Sequence, residues 1–178
     1  MENIIGNVES FLDEIFKGLE NLKIDVKDRS LDHICYRVST LEEYTTKKNE
    51  FLDLGILLTE ADVNGRPIAT FKLNNPINYN SRLIELIELP APKKNTNYTS
   101  GLEHVEFVID EGLNYWIEKY PNIDFEKSGM NKELNPEIKI SINKDISVKF
   151  HPLNLEKVIE IENSLLNKDN RKSQIVKL

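Results

Sequence analysis

Apolar residues recur at helical spacing through the opening segment, where Ile4, Val8, Phe11, Leu12, Ile15, Phe16, Leu19 and Leu22 are set among Glu9, Asp13, Glu14, Lys17 and Glu20. That stripe predicts an amphipathic packing helix over residues 1–24. The run Leu31 to Val38 then reads as a strand, and Thr40-Leu41-Glu42-Glu43 fits a capping box opening a helix that should stop at Gly55. Ile56 to Val63 and Arg66 to Leu73 predict two strands joined at Asn64-Gly65, a pair suited to a type I′ hairpin turn. A third strand, Arg82 to Leu89, ends at Pro90-Ala91-Pro92.

The order strand, helix, strand, strand, strand then repeats. Gly101 to Ile109 reads as a strand, and Asp110 is a candidate cap for a short helix carrying Leu113, Trp116, Ile117 and Tyr120, closed by Pro121. Strands are predicted near Ile123 to Glu126, Glu137 to Ile142 and Ile146 to Phe150, and a closing helix after Asn154 carries Leu155, Val158, Ile159, Leu165 and Leu166. From Asn167 to Leu178 the tail is polar enough to fray. The halves also match residue by residue. Leu31-Asp32-His33-Ile34-x-Tyr36-x-Val38 aligns with Leu102-Glu103-His104-Val105-x-Phe107-x-Ile109, each pair 71 positions apart. The expected fold class is therefore α+β, with two paired βαβββ modules and added N-terminal and C-terminal helices. Module one spans 31–90, module two spans 101–152, and the closing helix and tail occupy 153–178 of a single domain over residues 1–178.

Composition narrows the functional classes. With 23 Lys+Arg against 30 Asp+Glu the net charge is -7, the wrong sign for neutralising phosphates, so neither nucleic acid nor an anionic membrane is an expected partner. No apolar run reaches the roughly 18 to 20 residues needed to cross a bilayer, and the N-terminus is acidic rather than signal-like. Together with the single cysteine, Cys35, this predicts a cytoplasmic protein.

The candidate chemistry lies in the histidines. There are three, His33, His104 and His151, each in or at the end of an apolar strand. Alternation places His33 on one face with Leu31, Cys35 and Arg37, opposite Ile34, Tyr36 and Val38. His104 falls with Leu102, Glu106 and Val108, opposite Val105, Phe107 and Ile109, so both histidines leave the more hydrophobic side and can face a shared cavity. Neutral imidazoles with a carboxylate make a sphere suited to Fe, Mn, Ni or Zn. Glu85 and Glu88 both lie in an apolar strand, where a buried carboxylate needs a cation or donors, and their opposite parity lets both point inward only across a β-bulge. Either can instead pair with Arg37, Arg82 or Lys149. Cys35 is a small hydrophobe, or else a further ligand or a nucleophile, and Asp32 and Glu103 have edge or hydrogen-bonding roles.

Taken together, Leu31-Asp32-His33-Ile34, Asn64-Gly65-Arg66-Pro67-Ile68 with Phe71-Lys72-Leu73, Ile87-Glu88-Leu89-Pro90, Gly101-Leu102-Glu103-His104-Val105-Glu106 and Val148-Lys149-Phe150-His151-Pro152 resemble the YecM family over roughly residues 1 to 165. That family resembles a branch of the vicinal oxygen chelate superfamily, which includes glyoxalases, extradiol dioxygenases and bleomycin-resistance proteins. The resemblance implies a cup-shaped half-barrel with a divalent metal at its base. By motif, His33, Glu88 and His104 match three metal ligands, and His151 stands where glyoxalase-like enzymes commonly carry a glutamate. Glu106 becomes a candidate catalytic acid or general base, and Arg37 and Arg66 are candidates to orient an anionic substrate.

The implied function is that of a metal-dependent isomerase, lyase or dioxygenase acting on a small oxygen-chelating metabolite. The same fold also serves as a non-catalytic module that sequesters a small molecule. A structural domain with ordinary core histidines is the third alternative. With both modules in one chain a complete cup needs no partner, so monomer and homodimer both fit.

Overall fold

The computed structural model describes residues 1–63, 65–94, 96–97 and 99–175. The opening stripe is divided into α1 (Glu2–Ile5) and α2 (Val8–Asn21) because Gly6 takes a positive φ of 84° and Asn7 caps the second helix, accepting from Ser10 N at 2.8 Å. Next come β1 (Leu31–Arg37) and α3 (Leu41–Leu52), where the predicted cap forms as Thr40 accepts from the Glu43 amide at 3.0 Å. They are followed by β2 (Gly55–Asp62), β3 (Pro67–Tyr79) and β4 (Arg82–Pro90). Val63 and Arg66 close the β2–β3 turn, with Gly65 at φ 78°; Asn64, the other half of the predicted turn, lies outside the described residues.

Module two contains β5 (Gly101–Val108), α4 (Leu113–Lys119), β6 (Ile138–Ser141) and β7 (Ser147–His151), and α5 (Leu155–Ile175) closes the chain. Three details depart from expectation. Gly112, not Asp110, is the residue before α4. The strand expected near Ile123 to Glu126 is a single bridge, Glu126 to Lys139, because Phe125 turns inward to meet Phe150 edge-on and a 3-10 turn follows at Ser128–Asn131. Finally, α5 runs past Asn167, where fraying was expected, and residues 176–178 of that tail lie outside the described set.

The seven strands form one open, mixed sheet in the order β2-β3-β4-β1-β5-β7-β6. At its centre β1 pairs antiparallel with β5, while β1 runs parallel to β4 and β5 parallel to β7. The arrangement is the expected α+β half-barrel, with the two modules meeting along β1 and β5. One face packs against α2, α3 and α4. Leu12, Ile15, Leu19, Phe51 and Trp116 join Ile34, Phe71, Val105, Phe107 and Phe150 in one core, with Trp116 and Phe150 rings 4.8 Å apart. Burial of each such side chain contributes roughly 1.5–3 kcal/mol.

Two β-bulges decide what faces the other side. Leu31 pairs with Phe107 but His33 pairs with Glu106, so Asp32 is an extra residue in β1. Cys35 pairs with His104 but Tyr36 pairs with Leu102, so Glu103 is an extra residue in β5. Each bulge reverses the alternation beyond it. Leu31 and Leu102 consequently lie with the core rather than beside the histidines as strict alternation predicted. A further register break, between Lys72 and Ile77 of β3, lies opposite β4, where Ile84 and Ile87 are both core residues despite opposite parity.

Candidate metal centre

The bulges place His33, Cys35, His104 and Glu106 on the face away from the helices. Glu88 enters beside Cys35, its register partner across β1 and β4, and Lys149 enters beside Glu106, its partner across β5 and β7. His151 ends β7. Its Nδ1 donates to Leu153 O at 2.6 Å, and the Asn135 amide clasps Leu153 on both sides, donating to its carbonyl and accepting from its N–H at 2.9 Å each. The same crossing is pinned to the sheet where Leu155 N donates to Asp32 Oδ2 at 2.9 Å, and Lys72 of β3 reaches Glu156 at 2.9 Å. The start of α5 thus lies over this face. His33, His104, Glu106 and His151 are each no more than 6% exposed.

Glu106 is the hub. Its Oε1 lies 3.0 Å from His104 Nε2, 3.5 Å from His33 Nε2 and 2.7 Å from Lys149 Nζ, and its Oε2 lies 3.2 Å from His151 Nε2. Each bulged acid turns onto the ring that follows it. His33 Nδ1 donates to Asp32 at 2.9 Å, and His104 Nδ1 donates to Glu103 at 2.7 Å. With Nδ1 committed, Nε2 of each ring points to the centre, the orientation that carboxylates impose on metal-ligating histidines. His151 is fixed likewise through Leu153 O.

Charge follows from this packing. Burial opposes a proton on His33, yet Glu106 and Asp32 outweigh it and raise its pKa to about 10. His104 is also raised, burial being overcome by its hydrogen bonds to Cys35 and Glu103. Burial would raise Glu106, but Lys149, His33 and His104 hold it well below the usual carboxylate range. Glu103, raised by burial but bonded to His104 and near Arg37, falls to about 2. His151 is lowered by burial, assisted by His33 and opposed by Glu106 and Asp32. The Cys35 thiol is pushed up by burial, which disfavours the thiolate.

The residues fit a divalent cation. One donor atom from each of His33, Glu88, His104 and Glu106 lies within 4.8 Å of the others, and Asp32, His33 and His151 make a second group by the same measure. His33 Nε2 and His151 Nε2 are buried and make no hydrogen bond, although Glu106 oxygens lie 3.5 and 3.2 Å away, so polar atoms face the centre that a bound group would satisfy. The 3.0–3.5 Å separations around Glu106 resemble donor spacings about one ion, since two bonds of roughly 2.1 Å at right angles put their donors roughly 3 Å apart.

Of the residues singled out from sequence, His33, Glu88, His104 and Glu106 therefore converge, while His151 meets the cluster from the Asp32 side. Glu85 pairs with Lys72 at 3.9 Å, Arg37 lies 3.8 Å from Glu103, and Arg66 donates to Ala91 O at the module edge. Sequence reasoning left four contributors without a site role. Asp32 and Glu103 were visible as an acid before each repeated histidine; Lys149 and Asn135 had no such signal.

Paired modules in an open half-barrel, with a histidine cluster at their junction, define a vicinal oxygen chelate fold. A methylmalonyl-CoA epimerase variant from Streptomyces coelicolor, solved with 2-nitronate-propionyl-CoA, matches at TM-score 0.51 and 10% identity, covering 71% of this chain and 95% of its own. Hypothetical protein BH1468 from Bacillus halodurans C-125 matches at TM-score 0.50 and 15% identity, covering 71% and 96%. Within that class the chain belongs to the YecM family, whose pattern, described as YecM protein, matches residues 1–162. Protein YecM of Escherichia coli K12 is 27% identical over 187 aligned positions, covering 92% of this chain and 95% of its own. A structural-genomics structure designated Protein EC4020 matches at TM-score 0.78 and 25% identity, covering 90% and 92%.

Proposed function

We propose that this protein binds one divalent transition metal between its two modules and acts on a small, oxygen-chelating metabolite as an isomerase, lyase or dioxygenase. The supporting observation is the buried convergence of His33, Glu88, His104 and Glu106, with His33 Nε2 lacking any hydrogen-bond partner. Bound there, the cation supplies a Lewis acid that steadies negative charge developing on substrate oxygens. The chain's own residues do the rest. Asp32 and Glu103 hold the rings, and Glu106, kept ionised, serves as ligand or proton acceptor rather than acid. The three imidazoles and Lys149 set the local field.

Substrate entry from the α5 side requires the covering segment to move. Two surface clefts, of about 540 and 230 Å³, are lined by other residues, and the centre is closed where Asn135, Leu153 and Leu155 are tied down. No helix among the described residues is long and apolar enough to cross a membrane. We take residues 1–178 as one domain working in the cytoplasm, as a monomer or homodimer, without nucleic acid or membrane.

Elemental analysis of untagged protein purified without chelator, beside His33→Ala and His104→Ala checked by circular dichroism, tests this reading. The expected result is about one metal per wild-type chain and none in either folded variant. Metal retained by both variants, or none in wild type after Fe(II), Mn, Ni or Zn is supplied, overturns it.

A further inference from the structure

The two modules present register-equivalent positions to the centre, and one pair is unlike. In module one Cys35, two residues after His33, pairs across β1 and β4 with Glu88. In module two Glu106, two residues after His104, pairs across β5 and β7 with Lys149. Lys149 therefore occupies in the second half the place Glu88 occupies in the first, and an ammonium stands where the repeat would supply a carboxylate. Its Nζ lies 2.7 Å from Glu106 Oε1, the same oxygen that faces His104 and His33, and 3.8 Å from Glu137 Oε1. At 18% side-chain exposure it has little water to dissipate its charge.

We propose that Lys149 is a tethered cation that competes with the metal for Glu106 and so sets the affinity of the centre. The inference rests on the metal-binding reading above. An ammonium 2.7 Å from Glu106 Oε1 and a divalent ion bound to that same oxygen repel each other strongly, because the local dielectric is far below that of water, so the ammonium's presence weakens metal binding. A metal that takes Glu106 must displace the ammonium, and Glu137 is the carboxylate placed to receive it. When the metal leaves, Lys149 returns and neutralises Glu106, so the empty centre stays folded without an unpaired buried charge. Lys149 is thus a positioning residue that favours metals able to win Glu106 from an ion pair.

The test is a calorimetric titration of metal-stripped wild type, Lys149→Met and Lys149→Arg with Mn(II) and Zn(II), each checked by circular dichroism. Removing the repelling charge is expected to tighten binding by about 10- to 100-fold, while the charge-retaining Lys149→Arg stays near wild type. If Lys149→Met does not fold without metal, Lys149→Gln, which still donates to Glu106, takes its place; its melting temperature should rise more on adding metal than that of wild type. Equal or weaker binding by the uncharged variants overturns the competition while leaving the metal site standing. Failure of every protein to bind either ion, or Fe(II) or Ni(II) in their place, removes the metal-binding reading, and this inference with it.

Discussion

Module one and module two reach the centre by the same device and then diverge. Each brings in a histidine just after a bulged acid, with Asp32 before His33 and Glu103 before His104, and each acid holds the Nδ1 of its neighbour. Two residues on, the halves differ: Cys35 with Glu88 on one side, Glu106 with Lys149 on the other. The shared part orients ligands. The unlike part distributes charge, giving one half a small thiol beside a lone carboxylate and the other a neutralised ion pair. The conserved geometry of the repeat thus supplies position, and substitution within it supplies electrostatics.

The sharpest way to break this comparison is to truncate the two register-equivalent residues. Glu106→Ala removes the hub of three imidazoles and an ammonium, and breaking a buried charge pair by deleting one partner costs about 3–5 kcal/mol. Cys35→Ala, at the matching place in module one, removes a single sulfur from a buried site and is expected to cost about 1 kcal/mol. Urea unfolding of the metal-free proteins measures both. Equal losses would mean that the charge cluster does not organise module two.

A second effect follows from His33. Its pKa is about 10 in the folded protein against 6.5 in the unfolded chain. A raised folded-state value contributes stability that is complete below pH 6.5 and is lost as pH climbs through 10. The melting temperature of metal-free protein should therefore fall between these limits, by an amount on the order of 10 °C. Bound metal should blunt the fall, because it replaces the protons on the imidazoles. A flat profile for the metal-free protein would show that Glu106 and Asp32 do not hold a proton on that ring.

Much of this was legible from the pattern of residues. The 71-residue offset carried the duplicated architecture, and strand alternation correctly put Ile34, Tyr36, Val105 and Phe107 in the core and His33, His104 and Glu106 away from it. Alternation failed where the ladder gains a residue. A bulge leaves no composition signal, so Leu31 and Leu102 were assigned to the wrong face, although each bulge falls on the acid that the histidine needs. Lys149 was read as a pairing partner for a glutamate and not as part of the centre. Its importance depends on which residue of β5 it faces, and register across parallel strands is a tertiary property. The Ile123 to Glu126 segment has strand-like composition, but Phe125 is buried in the core and only Glu126 bridges to the sheet.

The bulged acids offer the finest comparison, because they share one task and differ in a second. Asp32→Ala and Glu103→Ala each free an imidazole to rotate and change tautomer, so each should weaken metal binding by about 10-fold, the low end for losing an orienting partner. Only Asp32 also accepts from Leu155 N, where α5 begins. Its removal orphans that amide at the edge of the covering segment, at a cost of about 1–2 kcal/mol beyond the effect on the ring. Glu103, 24% exposed and 3.8 Å from Arg37, makes no hydrogen bond to α5 among the described residues. Metal titration should thus give similar losses for the two variants, while thermal melts of the metal-free proteins separate them, with Asp32→Ala the less stable. Similar melts with unequal affinities would mean that Asp32 acts on the metal alone and that α5 is held over the centre by other contacts, with Lys72 to Glu156 the first to examine.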